Sequence, residues 1–140
     1  MSARAHSLDT NVIVRFLTKD NDILHPKAER IMQAVTEGRL TVVCDPVILA
    51  EVAWVLNSYY KLPRADICNL LMAIVKSDNV LIPNKSRYAL ALEIFGKGKA
   101  HYADACACAA ALEACEGRLF SFDRELSEVE GIDRREMVDG

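Results

Sequence analysis

Long hydrophobic runs are absent from this 140-residue sequence, because charged side chains interrupt every apolar stretch before it is long enough to cross a bilayer. The first six residues also contain no apolar run typical of a secretory signal. We therefore expect a cytoplasmic protein with no membrane partner.

Cysteine is present but does not form a pattern typical of bridges or zinc. The sequence has five cysteines, an odd number, with no Cys-x-x-Cys pair. The closest two, Cys106 and Cys108, have poor spacing for zinc. All five stand among small or aliphatic residues, so we expect them to act as small buried hydrophobic side chains.

Positive charge is not in excess, since 17 Lys and Arg face 20 Asp and Glu for a formal net charge of -3. A protein that coats nucleic acid without preference needs a dominant basic surface, so that class is excluded. An enzyme that holds nucleic acid locally is still allowed. The sequence also lacks a Walker A motif, a Gly-x-Ser-x-Gly elbow and a His-Glu-x-x-His pair, which removes several other enzyme classes.

No repeat, low-complexity segment or Pro/Gly/Ser-rich linker divides the chain, and its length fits one domain over residues 1–140. Short apolar runs predict strands at residues 5–8, 40–44, 80–82, 119–122 and 136–138. The segments between them predict helices at 11–19, 26–37, 46–60, 63–76, 85–96 and 104–115, with a short helical turn from residue 124. Strands separated by helices indicate an α/β domain with a mainly parallel sheet.

Two aspartates stand where such a sheet places its ligands, at the carboxyl ends of strands, and a third opens a helix. Asp9 and Asp123 each follow a predicted strand, and Asp104 opens an alanine-rich helix. Each is also well placed to cap the helix or turn that follows, so none of them alone separates a site from a cap. Ser121 points to the same side of its strand as Asp123 and is placed to orient a ligand or a water.

Glu51 is the most informative acidic residue. It is the only charged side chain between Pro46 and Leu56, in a helix that is otherwise apolar all round. Such a helix is expected to be buried, and an unpaired buried carboxylate is costly. Glu51 must therefore meet a cation, become protonated, or lie at an opening in the fold.

The four acids together indicate metal chemistry. Clustered carboxylates raise one another's pKa unless a cation sits between them, and Mg²⁺ prefers oxygen ligands of this kind. A bound metal lowers the pKa of water and stabilises charge on a phosphate, which is the chemistry of a phosphodiesterase.

At this point the chain resembles the PIN-domain ribonucleases, and within them the VapC-like toxins of bacterial toxin–antitoxin pairs. The resemblance runs over nearly the whole chain and depends on the order and spacing of four motifs. These are Leu8-Asp9-Thr10-Asn11-Val12, Glu51 with Val55-Leu56, Ala103-Asp104-Ala105, and Phe120-Ser121-Phe122-Asp123-Arg124-Glu125-Leu126.

The resemblance implies a three-layer α/β/α domain in which Asp9, Glu51, Asp104 and Asp123 form an acidic quartet that binds Mg²⁺ or Mn²⁺ and cleaves RNA. Asp9 and Asp104 would be the main metal ligands. It also implies a homodimer and a small cognate antitoxin that holds the enzyme inactive and binds promoter DNA through its own domain.

Two positions depart from the family pattern. His101 stands where many members have an aspartate, which removes one acidic contact for a second metal, although a histidine there is able to move a proton. Ser121 replaces the commoner threonine and keeps the hydroxyl. Four residues are therefore predicted to assist the acidic quartet without being its main ligands: Thr10, Asn11, His101 and Ser121.

Basic residues expected near the rim of the predicted active site are candidates to bind the phosphate groups of RNA. They are equally explained as ordinary surface charge. The best placed by sequence are Arg15, Lys97 and Lys99, with Arg118 and Arg124 as further candidates. Trp54, Tyr59 and Tyr60 are predicted to pack in the core or a dimer interface instead of stacking on bases.

The favoured prediction is a metal-dependent endoribonuclease that acts as the toxin of a toxin–antitoxin pair. Two alternatives stay open: a metal-dependent phosphatase or DNA nuclease on a similar scaffold, and a PIN domain with a weakened metal site that acts as a binding module.

Overall fold

The structure is a computed structural model that describes residues 5–138. Strands and helices alternate along this part of the chain. The helices are α1 (Thr10–Leu17), α2 (Leu24–Thr36), α3 (Pro46–Ser58), α4 (Arg64–Val75), α5 (Lys85–Gly96) and α6 (Tyr102–Ala114), with a 3-10 turn at Arg124–Glu128. The strands are β1 (Ala5–Ser7), β2 (Thr41–Val43), β3 (Val80–Leu81), β4 (Arg118–Phe120) and β5 (Asp133–Arg135).

All observed strand pairs are parallel, which confirms the predicted α/β class. The first sheet has the order β1-β2-β3, and its register places Ser7 beside Val43 and Val43 beside Leu81. Over residues 5–138 the strands β4 and β5 form a separate pair instead of continuing that sheet. The strands are three residues long or shorter, so each contributes few ladder hydrogen bonds and the helices supply most of the packing.

The helices cover one face of the three-stranded sheet more completely than the other. Val42 and Val80 are fully buried, whereas Val43 and Leu81, which point to the opposite face, are partly exposed. The main core lies between this sheet and the helices, and α3 packs against α1, α4 and α6. This packing fixes the ends of β1 and α3 relative to the start of α6.

The last strand was predicted in the wrong place. The apolar residues 136–138 do not form it, and the strand is instead Asp133–Arg135, while Met137 and Val138 are largely exposed. Backbone pairing decides its position, since β5 runs in register with β4 and the Asp133 N–H donates to the Gly117 carbonyl at 2.8 Å. Gly117 has φ +85°, and a Cβ there would collide with the Gly131 carbonyl, so the close approach of the two segments requires glycine.

The remaining predicted elements are present with ends shifted by a residue or two. The helix α5 begins and ends at the predicted residues, and α2 begins earlier because the Asn21 side chain accepts from the backbone N–H groups of Ile23 and Leu24. No helix between residues 5 and 138 is both long and apolar enough to span a membrane.

All five cysteines are free thiols, in agreement with the predicted absence of bridges. Cys44 and Cys108 are buried as expected, and Cys68 and Cys106 are half-buried. Cys115 is exposed, contrary to the expectation, because it follows the last residue of α6 where the chain turns toward β4.

Candidate active site

Asp9 lies at the junction between β1 and α1. Leu8 is buried, and its N–H donates to the Val43 carbonyl at 2.9 Å, which ties the junction to β2. Asp9 itself is exposed, and its Oδ1 accepts a hydrogen bond from the Thr10 N–H at 2.9 Å. The helix-capping role that the sequence allowed is therefore present, but one carboxylate oxygen has no partner in the part of the chain described.

Thr10 is unusual because it is only 6% exposed and its side-chain hydroxyl has no hydrogen-bond partner within residues 5–138. An unsatisfied buried hydroxyl costs about 1–3 kcal/mol. A cost of this size at the residue after Asp9 is consistent with a polar ligand, since a ligand's oxygen or water would supply the missing partner.

Glu51 lies on an exposed face of α3, so the third of its three predicted environments, an opening in the fold, is the observed one. The expectation that the whole helix is buried was wrong. The buried side chains Leu49, Val52, Ala53 and Leu56 form one stripe, whereas Val47, Glu51 and Trp54 face outward.

Trp54 and Tyr59 were predicted to lie in the core or in a dimer interface, and the core assignment is wrong for both. They are 67% and 74% exposed. Tyr60, by contrast, is partly buried against the core, and its hydroxyl donates to Asp20 Oδ2 at 2.8 Å. Trp54 lies on the uncovered face of α3, whereas Tyr59 and Tyr60 follow the last residue of that helix.

Thr10, Asn11 and Glu51 line one cavity of about 310 Å³, whose wall also includes Arg15, Asp20 and Trp54. The start of α1 and the middle of α3 therefore face the same cavity, although Asp9 itself does not line it. Arg15 is partly engaged in this cavity, because its Nη1 lies 3.3 Å from Asp20 Oδ1.

Asp123 lies between β4 and the 3-10 turn, and Asp104 lies in α6. Asp104 is half-buried in the first turn of that helix, where the helix dipole favours a carboxylate. Burial raises the pKa of the Cys108 thiol, and the negative charges of Asp104 and Asp123 raise it further. Both carboxylates therefore influence the same thiol, which lies one helical turn after Asp104.

Asp123 follows β4 and caps the 3-10 turn, because its Oδ1 accepts from the Glu125 N–H at 3.0 Å. Ser121 is engaged locally, since its Oγ accepts from the Asp123 N–H at 3.0 Å. The serine hydroxyl thus positions the aspartate backbone, and this is the local role that the structure gives it.

His101 immediately precedes α6 and is exposed beside a second cavity of about 250 Å³, whose wall includes Trp54 and Tyr102. Its Nδ1 lies 3.1 Å from Arg64 Nη2. Because a guanidinium has only donors, Nδ1 accepts this hydrogen bond and the neutral ring carries its proton on Nε2.

Lys97 and Lys99 lie elsewhere. They line a cleft of about 320 Å³ between α5, α6 and the segment that follows the 3-10 turn, and Lys99 Nζ is 3.7 Å from Glu128 Oε2. None of the four candidate carboxylates lines this cleft. The RNA-contact role predicted for the two lysines stays a prediction.

The four acids suit a hard divalent ion by their chemistry. Eight ion pairs join basic and acidic side chains of residues 5–138, and none of them includes Asp9, Glu51, Asp104 or Asp123. Their carboxylate oxygens are therefore free of competing cations. Other acids, such as Asp66 in the first turn of α4, share this property, so it is necessary for a metal site but not sufficient.

The four acids are suitable metal ligands by residue type, but the structure does not place them close enough together to form a complete metal site. No group of three or more His, Cys, Asp or Glu side chains within the described residues is close enough to hold a metal ion. Two partial relations link the four acids to their surroundings: Glu51 shares a cavity with Thr10, the residue after Asp9, and the charges of Asp104 and Asp123 both act on Cys108. A single metal site formed by all four acids stays a prediction.

Comparison with known proteins gives one family match. A family model described as PIN domain matches residues 7–132, a span that includes all four candidate acids. A search of curated proteins found no match to the chain.

Proposed function

The chain belongs to the PIN-domain family, whose members are generally nucleases that bind divalent metals, and from that premise we propose that it is a metal-dependent endoribonuclease. The observation that carries the proposal is the position of four carboxylates, free of ion pairs, inside the matched span. Asp9 and Asp123 lie at strand ends, Glu51 lies on the exposed face of α3, and Asp104 lies in the first turn of α6.

In this proposal Asp9 and Asp104 are the main ligands of Mg²⁺ or Mn²⁺, and Glu51 and Asp123 complete the set directly or through water. A divalent ion bound there would supply a water of lowered pKa and neutralise charge on the scissile phosphate. The residues themselves provide oxygen ligands, and the buried hydroxyl of Thr10 provides one further polar contact. Arg15, at the edge of the cavity, is placed to hold a neighbouring phosphate.

The test is cleavage of a panel of total RNA, transfer RNA, single-stranded DNA and a small phosphoester by the purified protein. Each substrate is incubated with Mg²⁺, with Mn²⁺ and with EDTA. We expect cleavage of RNA at discrete sites that EDTA abolishes. Cleavage of DNA or the phosphoester in preference to RNA would instead support a DNA nuclease or phosphatase.

Asp104→Asn and Asp66→Asn are a matched pair of variants for this test. Both aspartates lie in the first turn of a helix and form no ion pair, but only Asp104 belongs to the proposed site. We expect Asp104→Asn to lose about a hundredfold or more in cleavage rate and Asp66→Asn to retain the wild-type rate. Equal rates for the two variants would contradict the assignment of Asp104.

A binding module is the second candidate, and a specific observation favours it. No three potential ligands lie within reach of one ion in the described chain, and His101 replaces an acid of the family pattern. This candidate predicts RNA or protein binding without cleavage under any metal, from a folded preparation.

We further propose that the protein is the toxin of a toxin–antitoxin pair, acts in the cytoplasm, and forms a homodimer. The support is the resemblance of its four motifs to VapC-like toxins. Expression should arrest bacterial growth, and co-expression of a small neighbouring reading frame should relieve the arrest and co-purify with the protein. In that complex, promoter DNA would be bound through the antitoxin alone. Unimpaired growth on expression of a folded, active nuclease would contradict the toxin role while leaving the nuclease intact.

A further inference from the structure

Trp54 is the largest exposed side chain beside the candidate site. Tryptophan normally buries most of its surface, because its ring carries a large hydrophobic contribution. Here 67% of the residue is exposed, on the same outward stripe of α3 as Glu51, three positions away. Trp54 was predicted to pack in the core or a dimer interface, but its spacing of three residues from Glu51 in a helix places it on the same side as the acid.

Trp54 also stands between the two cavities that adjoin the candidate acids. On one side it lines the cavity shared with Thr10 and Glu51. On the other it lines the cavity shared with His101 and Ala103, directly before Asp104. Trp54 is therefore a residue that the two cavities share.

Positive side chains flank this position at both ends. Arg15 lines the first cavity, and Arg64 contacts His101 at the second, where it also lies over the Phe95 ring at 5.3 Å. An aromatic platform between cationic groups is the arrangement by which proteins bind unpaired nucleotides, with bases on the ring and phosphates on the cations.

We propose that Trp54 is a positioning residue that stacks on one unpaired base of the RNA substrate beside the acidic site. This inference rests on the proposed function. It adds a base-stacking residue to the carboxylates proposed there. A base-paired nucleotide already stacks within its duplex, so Trp54 favours unpaired RNA over double-stranded RNA.

The test uses the fact that Trp54 is the only tryptophan of the chain. Its intrinsic fluorescence is therefore a direct report of stacking at this position. The Asp104→Asn protein with Mg²⁺ is titrated with an unpaired RNA oligomer, an abasic oligomer of the same length, and an RNA duplex, and the oligomers are checked for integrity afterwards. We expect strong quenching by the unpaired oligomer and weak quenching by the other two.

Three substitutions in the same background then separate stacking from general packing. Affinity is measured by anisotropy of a labelled oligomer. Trp54→Ala should weaken binding of the unpaired oligomer about tenfold, whereas Trp54→Phe should retain most of it, and neither should change binding of the abasic oligomer. Val47→Ala is the matched control, since Val47 is equally exposed on the same stripe at 65% but lines neither cavity, and we expect wild-type affinity.

The outcomes distinguish this inference from the proposed function. RNA cleavage by the wild-type protein together with an unaffected Trp54→Ala affinity would overturn the stacking role and leave the nuclease intact. Base-dependent quenching from a protein that cleaves nothing would support the stacking role and contradict the nuclease. If Trp54→Ala and Val47→Ala both change the sedimentation state, a second copy of the chain covers this face, and the stacking role is overturned.

Discussion

The ends of β1 and β2 have nearly the same local structure, yet we assign a functional site to only one of them. Residues 8–10 and residues 44–46 each consist of a buried apolar side chain, an exposed aspartate, and the first residue of a helix. The two strands are also parallel neighbours in one sheet, so their carboxyl ends face the same way.

The difference lies in how each aspartate is used. Asp45 Oδ1 accepts from the Val47 N–H at 2.9 Å, two residues into the helix, which is the usual bond of an N-cap. Asp9 Oδ1 reaches only the adjacent Thr10 N–H. The residue after Asp9 also shares a cavity with an acid, because Thr10 and Glu51 both line it. Among the described residues, no acid lines the cavity beside Val43 at the end of β2. A strand-end aspartate thus becomes a candidate ligand only where packing brings a second oxygen donor to it.

Amide substitution of the two aspartates is expected to produce the largest difference between the two strand ends. Asparagine caps a helix as well as aspartate does, so Asp9→Asn and Asp45→Asn should both fold normally. Only Asp9→Asn removes a charge from the proposed metal site, and we expect it to lower the RNA cleavage rate about a hundredfold or more. The measurement is the initial rate in Mg²⁺ for both variants, with circular dichroism as the folding control.

Equal loss of activity in the two variants would mean that both strand ends serve the site. Full activity in Asp9→Asn would mean that Asp9 only caps α1. The structural difference between the two strand ends would then have no effect on function.

The alternation of strands and helices could be predicted from the sequence, because apolar periodicity and turn residues report local structure directly. The strand β5 could not, because Asp133, Arg134 and Arg135 lack the apolar side chains typical of strands and are held by pairing with β4. The exposed face of α3 was missed for a related reason. Val47 and Trp54 are apolar but exposed, so their residue types do not reveal which face of α3 is buried. That depends on how the neighbouring helices pack.

The identity of the candidate acids was predicted from the order of the motifs, and the family match spans all of them. Their spatial arrangement was beyond the sequence. Whether Asp9 and Asp104 reach one ion depends on the distance between the end of β1 and the start of α6, which the packing between α3 and α6 sets and which local patterns do not encode. The position of Lys97 and Lys99 on a separate cleft is a second example, because spacing along the chain does not fix the side of the domain.

The buried residues before the two aspartates, Leu8 and Cys44, differ in whether they titrate, and we expect this difference to affect stability at alkaline pH. Burial, together with the negative charge of Asp45, raises the pKa of the Cys44 thiol from 9.0 to about 11, whereas Leu8 does not titrate. The folded state therefore holds this proton more tightly than the unfolded state. Cys44 contributes stability that is fully present below pH 9 and is lost as the pH rises through about 11.

Urea unfolding measured at a series of pH values checks this prediction. Cys44→Val should flatten the decline of unfolding free energy in the alkaline range, whatever its effect on stability at neutral pH. Cys115→Val is the control, since Cys115 is exposed and its substitution should leave the pH dependence unchanged. An unaltered alkaline decline in Cys44→Val would show that the thiol does not cause it.

Alanine substitution of the two capping aspartates should produce a smaller difference, in the free energy of unfolding. Asp45→Ala removes an N-cap bond to the second helical residue and should cost about 1 kcal/mol of unfolding free energy. Asp9→Ala removes only a contact with the adjacent residue, so its cost should be smaller. Chemical denaturation of both variants, without divalent metal, measures the difference. A larger loss for Asp9→Ala would contradict the view that Asp45 is the better cap.

The smallest expected effect concerns the first helical residue at each end, Thr10 after Asp9 and Pro46 after Asp45. Since the buried Thr10 hydroxyl has no partner in the described chain, Thr10→Val should leave the metal-free stability unchanged or raise it by up to about 1 kcal/mol. Thr18→Val is the matched control, because the Thr18 hydroxyl donates to the Val14 carbonyl at 2.7 Å and its loss should be destabilising. If the hydroxyl instead serves the bound state, Thr10→Val should also reduce the increase in Tm that Mn²⁺ gives the wild-type protein. A metal-free Thr10→Val protein destabilised as much as Thr18→Val would show that the hydroxyl is satisfied within the fold, and that the β1 end holds no vacant polar contact for a ligand.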